Sequence, residues 1–235
     1  MEQAQVQRLA DRLARVREKI TEAALKAGVE PGSVTLVGVT KQRSVAEIRA
    51  AIDSGLADIG ENRAQEAQEK LPSLGREVVR HFIGHLQRNK VRDVLPLFEL
   101  IHSVDSARLA REIEKRAAAA GTTVKLLMQV NTSAEDSKSG VAPQEADALL
   151  EVIGGCAHLS LRGLMTIGPL EGGQARTAEC FATLRDIFER YRLSAPGSCR
   201  MDVLSMGMSA DYEIAIAEGS NMVRVGTAIF GPRKY

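Results

Sequence analysis

The chain has 235 residues, 44% of them hydrophobic, which is enough for a sizeable core in one or two domains. Its 31 Lys and Arg against 30 Asp and Glu leave a net charge of +1, so there is no electrostatic case for a nucleic-acid or membrane-surface partner, and with no Trp and five Phe there is no base-stacking platform. Three scattered cysteines, Cys156, Cys180 and Cys199, form no CxxC and argue against a disulfide framework or a zinc site.

In chain order, Val6, Leu9, Leu13, Val16 and Ile20 recur at helical spacing, and Gly28 stops that first helix. The opening segment has no apolar signal core, and no apolar run approaches membrane length, so a cytoplasmic protein is expected. From Val34 onward, short apolar runs alternate with amphipathic stretches. The strand-like runs fall at 34–40, 57–60, 80–84, 98–104, 124–130, 159–165, 201–205 and 222–226. Between them, Ser44 and Glu47 form a capping box ahead of Val45, Ile48 and Ile52, and Gly55 ends that helix. Helical text follows at 61–71, 105–120, 142–153, 174–191 and 209–219. Eight strand–helix units with an extra N-terminal helix predict a (β/α)8 TIM-type barrel, one domain over residues 1–235. A doubly wound sheet is the alternative, but its glycine-rich first turn is missing: the first turn here reads TKQRS.

Barrel chemistry gathers where strands end and helices begin. The first apolar strand, LVGVT, ends in Lys41. A lysine there can simply snorkel, stem packed and ammonium wet. Two later strand ends are more specific. LSMGMSADYEIAI places Ser205, Gly207 and Ser209 before a helix; Gly207 permits close backbone approach and Ser209 reads as the helix N-cap. MVRVGTAIFG puts Gly226 and Thr227 just past the eighth strand. Hydroxyls and backbone N–H groups converging there predict a phosphate cradle at strands seven and eight, and Lys41 on the adjoining first strand predicts a Schiff base with a phosphorylated aldehyde. His81 and His85 are four apart but flank HFIGH, a strand and turn, so helical metal-ligand spacing does not apply.

The segments LVGVTKQ, DIGENRAQE, HFIGHLQRNK, HSVDS, VNTSAEDSKSGV, LRGLMTIG and LSMGMSADYEIAIAEGSNMVRVGTAIFG together resemble the pyridoxal phosphate homeostasis proteins, the YggS-type family, from about Val34 to Gly231. The resemblance implies a barrel similar to the N-terminal domain of alanine racemase, with pyridoxal 5'-phosphate on Lys41. It places Ser205, Gly207, Gly226 and Thr227 near the phosphate, Arg224 near the pyridine nitrogen and Asn62 in the pocket. It implies a monomer that buffers the cofactor or delivers it to apo-enzyme recipients, without established turnover. Two departures are visible: Thr40 and Gln42 stand where a serine and a threonine commonly flank the lysine, and Arg88 stands where LQxNK more often has serine.

Two rivals remain. One is a small pyridoxal-phosphate enzyme such as an amino-acid racemase, the other a phosphate-sugar barrel enzyme, which the LSMGMS and RVGT pair disfavours. A racemase needs a base on each face of the substrate carbon. Alanine racemases take the second, a tyrosine, from an added domain that this sequence is expected to lack. Tyr191 and Tyr212 lie in helices, Tyr235 follows the last element, and His85 is expected to have no group to orient it. Lys138, in the loop after the fifth strand, is expected to be a solvated loop lysine rather than a second carrier of the aldehyde.

Overall fold

The computed structural model describes residues 1–75, 78–197 and 199–232. Eight parallel strands close into one barrel in chain order: β1 (Thr35–Val39), β2 (Asp58–Glu61), β3 (Val79–Phe82), β4 (Leu100–Val104), β5 (Val124–Gln129), β6 (Leu159–Met165), β7 (Val203–Ser205) and β8 (Met222–Val225). Each overlies one of the apolar runs, because both faces of a barrel strand are covered and the strand therefore reads as continuous hydrophobic sequence. The helices around it are α1 (Gln3–Lys26), α2 (Val45–Asp53), α3 (Ala64–Lys70), α4 (Val91–Val94), α5 (Ala107–Ala120), α6 (Ala146–Gly154), α7 (Gly173–Ser194), α8 (Tyr212–Ala217) and α9 (Thr227–Phe230).

The predicted capping box is present: Ser44 Oγ accepts from the Glu47 N–H at 3.3 Å, and Glu47 Oε2 accepts from the Ser44 N–H at 2.9 Å. Gly28 and Gly55 follow α1 and α2 with φ of +71° and +91°, the left-handed region that favours glycine. The extra N-terminal helix has a structural reason. α9 is a single turn, too short to cover the outer face of the barrel at β8. α1 lays Leu9, Leu13, Val16 and Ile20 over that face, against Val223, Val225, Ile229 and Phe230, and so takes the place of an eighth barrel helix.

Inside the barrel, Val37, Leu100, Leu127, Met165 and Met222 form a small apolar cluster. Polar side chains are buried in the interior too: His81, His102, Ser205 and Arg224. Among the described residues, no helix is long and apolar enough to cross a membrane.

Candidate functional site at the barrel mouth

Parallel pairing sets the relative heights of the site residues. Val37 of β1 lies level with Arg224 of β8, and Gly38 with Val225. Lys41 therefore stands just past the end of β1, on the strand beside the one that carries Arg224 and the Gly226–Thr227 turn.

The backbone at Lys41 is constrained. Gln42, the next residue, has φ +59°, a left-handed conformation costly for a residue with a Cβ. Its N–H is captured by the Glu66 carboxylate from α3. The residue before is tied as firmly: Thr40 Oγ1 donates to Glu61 Oε1 at 2.7 Å, and the Thr40 carbonyl accepts from Lys70 Nζ at 3.1 Å. Lys70 also pairs with Glu66 and lies 3.5 Å from Glu61 Oε1. Burial pushes the Glu61 carboxyl above its usual range, partly offset by Thr40 and Lys70. The strand-one turn is thus held from both sides, a pattern of local backbone strain stabilised by its surroundings that is common at functional sites. A cavity of about 190 Å³ opens there, lined by Lys41, Gln42, Asn62, Arg63 and Glu66. Asn62 Oδ1 is buried and has no hydrogen-bond partner among the described residues, an acceptor left over for a ligand.

The other half of the mouth is built on β7 and β8. β7 is only three residues long, and its seam with β8 is stitched by side chains. Asn221 Oδ1 accepts from the Leu204 N–H at 2.8 Å, its amide donates to Asp202 O at 2.7 Å, and the Ser220 hydroxyl lies 2.9–3.1 Å from the carbonyls of Leu204, Met206 and Met222. Arg224 is 4% exposed; it donates from Nη1 to Ser205 Oγ at 2.6 Å and from Nη2 to Thr166 O at 2.7 Å. Burial lowers its pKa to about 10, Asp211 opposing, so it remains a cation at neutral pH.

Gly207 has φ +90°, and its carbonyl accepts from the Arg224 N–H at 3.0 Å. A Cβ there would lie 2.6 Å from Ala215 Cβ and 2.8 Å from Tyr212 Cα. Gly207→Ala must therefore displace α8 and hold a strained backbone. The expected cost is about 2 kcal/mol or more, a fall of roughly 4–8 °C in Tm by thermal unfolding; an unchanged Tm would show that the loop shifts freely.

Two expectations change here. Ser205 lies beneath Arg224, fully buried, with its hydroxyl engaged by Arg224 and by His102 Nδ1 at 3.2 Å; it is not at the Gly226–Thr227 turn. The hydroxyl at that turn is that of Ser209. It does not cap α8, which starts at Tyr212 after Asp211; instead it accepts from the N–H groups of Gly226 at 3.2 Å and Ala228 at 3.4 Å. Thr227 is exposed at the same turn.

Two further side chains, Lys138 and His85, differ from their expected settings, while Tyr191 and Tyr212 lie in helices as expected. Lys138 is not solvated: its side chain is 10% exposed and it ties Glu135 (2.9 Å) to Gly168 O (2.6 Å), joining the loops after β5 and β6. His85 does have orienting groups, with Nδ1 3.1 Å from Ser139 Oγ and 3.5 Å from Asp105 Oδ2, on a side chain 54% exposed. Tyr191 and Tyr212 are buried; Tyr191 donates to Asp147 Oδ1 at 2.5 Å, and burial raises both phenols above the usual range. Tyr235 lies outside the described residues.

Comparison with known proteins fits this geometry. The family described as alanine racemase, N-terminal domain, matches residues 7–234. A pyridoxal phosphate homeostasis protein of Pseudomonas aeruginosa is 40% identical over 228 residues, 97% of this chain and 96% of the relative. The chain belongs to the pyridoxal phosphate homeostasis protein family. Among solved structures, an unknown protein from Bifidobacterium adolescentis superposes with a TM-score of 0.93 at 42% identity, covering 98% of this chain and 97% of that one. PipY of Synechococcus elongatus, a structure with PLP (pyridoxal phosphate) bound, superposes with a TM-score of 0.82 at 36% identity, covering 95% of this chain and 100% of that one. The homeostasis-protein barrel therefore extends over essentially the whole of this chain.

Proposed function

We propose that this chain is a pyridoxal 5'-phosphate-binding barrel, one domain over residues 1–235, that holds the cofactor as a Schiff base on Lys41 and buffers or delivers it inside the cytoplasm, to apo-enzyme recipients, without turnover of its own. The observation that carries the reading is the clamped, strained turn that presents Lys41 on the strand beside buried Arg224. The relatives' names and the PLP in PipY support it.

The residues present fit the cofactor. Lys41 supplies the amine, and Asn62 Oδ1 is a buried acceptor without a partner in the same cavity. Arg224 is a buried donor cation suited to the pyridine nitrogen, and the Gly226–Thr227 turn with Ser209 is suited to the phosphate. Gly207 shapes the loop between them. When bound, the group supplies an electrophilic carbon and an electron-withdrawing ring. A permanent cation at the ring nitrogen leaves that nitrogen unprotonated and weakens the ring as an electron sink, which suits holding the cofactor rather than using it.

The alternative, a racemase-like enzyme, has one observation in its favour: His85 is oriented by Asp105 and Ser139. The tyrosines among the described residues offer nothing comparable, since both are buried and one is bonded to Asp147. The test is to incubate cofactor-loaded protein with single enantiomers of alanine and other amino acids in deuterated water. The expected result is no catalytic α-proton exchange or inversion. Rapid exchange that is lost in Lys41→Ala or His85→Ala establishes the enzyme.

A further inference from the structure

A line of hydrogen bonds crosses the inside of the barrel and ends on Arg224. Arg224 Nη1 is 2.6 Å from Ser205 Oγ, Ser205 Oγ is 3.2 Å from His102 Nδ1, His102 Nε2 is 2.9 Å from His81 Nδ1, and His81 Nε2 is 2.9 Å from Asp58 Oδ1. The members come from β8, β7, β4, β3 and β2 in turn. Four of them are almost fully buried: Arg224 at 4%, His81 at 1%, and Ser205 and His102 at 0% exposure. Asp58, at the start of β2, opens instead to a cavity of about 400 Å³ at the opposite end of the barrel, which Arg17 also lines.

The two ends fix the direction of the outermost links. A guanidinium can only donate, so Ser205 Oγ accepts from Arg224. A carboxylate can only accept, so His81 Nε2 carries a proton toward Asp58. With one proton on each ring, His81 Nδ1 must accept, His102 Nε2 must donate, His102 Nδ1 must accept and the Ser205 hydroxyl must donate to it. Four links need four protons, and Arg224, Ser205, neutral His102 and neutral His81 supply one each. The charged and titratable groups facing the line are Asp211, which acts on Arg224 from the loop before α8, His81 and Arg224, which act on His102, and Arg17, which shares the cavity at Asp58. Burial, then His81 and Arg224, hold His102 well below the usual histidine range, in keeping with the neutral ring that the count requires.

We infer that Ser205, His102, His81 and Asp58 form a one-directional hydrogen-bond chain through the barrel that positions the Arg224 guanidinium at its mouth. The two histidines and Asp58 act through Ser205, while the carboxylate whose charge acts on Arg224 is Asp211. His102 is the central positioning residue.

The chain itself is tested without the cofactor, and its effect on the cofactor rests on the reading that Arg224 faces the pyridine nitrogen. In cofactor-free protein at neutral pH, long-range proton–nitrogen NMR of the imidazoles is expected to show His81 and His102 both neutral and both protonated on Nε2. An Nδ1–H tautomer or an imidazolium at His102 overturns the chain. In the second arm, His102→Phe is titrated with pyridoxal phosphate and with its analogue carrying C–H in place of the ring nitrogen. The expected result is a loss of about tenfold for pyridoxal phosphate, the equivalent of one good hydrogen bond, and none for the analogue. His102→Gln, whose amide offers an acceptor and a donor, restores the affinity. Equal losses for both ligands mean that His102 only supports the fold, and no loss for either means that Arg224 does not depend on it; both overturn the inference. If wild-type protein binds neither ligand, the proposed function fails while the tautomer measurement still decides the chain.

Discussion

Pyridoxal phosphate is expected to bind this protein about a thousandfold more tightly than pyridoxal, because the phosphate gains two or more charge-assisted hydrogen bonds of roughly 1.5–3 kcal/mol each. Pyridoxal also ties up part of its aldehyde as an internal hemiacetal with its free hydroxymethyl group, so the phosphate contacts are read from how each variant changes the two affinities. The contacts proposed are the Ser209 hydroxyl and the Gly226–Thr227 turn. Ser209 Oγ already accepts from two backbone N–H groups, which leaves its O–H as a donor suited to an anion. Ser209→Ala and Thr227→Val are each expected to weaken pyridoxal phosphate by about tenfold and pyridoxal hardly at all. Ser205→Ala is expected to behave differently: its hydroxyl serves Arg224, so the two ligands should suffer alike. Equilibrium titration by absorbance measures all of these. Equal affinities of wild type for the two ligands would place the phosphate elsewhere.

Acidification should destabilise the fold through His102. Its pKa is held well below the usual histidine value by burial, with His81 and Arg224 adding to the effect. The unfolded chain binds a proton at about pH 6.5 while the folded protein does not, so stability is present above that pH and is lost as pH falls below it toward the folded value, by about 1.4 kcal/mol per pH unit. His102→Gln removes the titration while keeping an acceptor and a donor. Denaturant unfolding of the two proteins between about pH 7 and pH 5 should therefore show the wild-type advantage shrinking with that slope. Glu61, pushed up by burial, contributes the opposite sign, but it is common to both proteins and cancels in the difference. A difference independent of pH would mean that His102 is not buried neutral.

The barrel was legible because its strands are short apolar runs at regular intervals, and because punctuation such as the Ser44–Glu47 box and Gly55 is local chemistry that a sequence carries openly. The two helices that escaped notice, α4 and α9, have four residues each, less than two turns, so neither displays a period. At the site, the positions of Lys41, Arg224 and Gly226 follow from strand ends, but the division of labour between Ser205 and Ser209 does not. Both lie in LSMGMS. Only the inward direction of the last residue of β7 sends one hydroxyl under the guanidinium, while the loop carries the other to Gly226. The His81–His102 pair was out of reach for a similar reason. The residues lie 21 apart on adjacent strands, and nothing in HFIGH or ELIHSV marks a histidine as facing the barrel axis. A polar residue amid an apolar strand is the one available signal, and it was present at both. Lys138 and His85 likewise find their partners across loops rather than along the chain.

The central claim is that Lys41 carries the cofactor, and borohydride reduction of protein saturated with pyridoxal phosphate, followed by peptide mass spectrometry, tests it most directly. The expected result is a single fixed adduct on the peptide containing Lys41, lost in Lys41→Ala together with the visible absorbance band. An adduct confined to Lys70, Lys138 or another lysine, or an unchanged band in Lys41→Ala, would contradict the account.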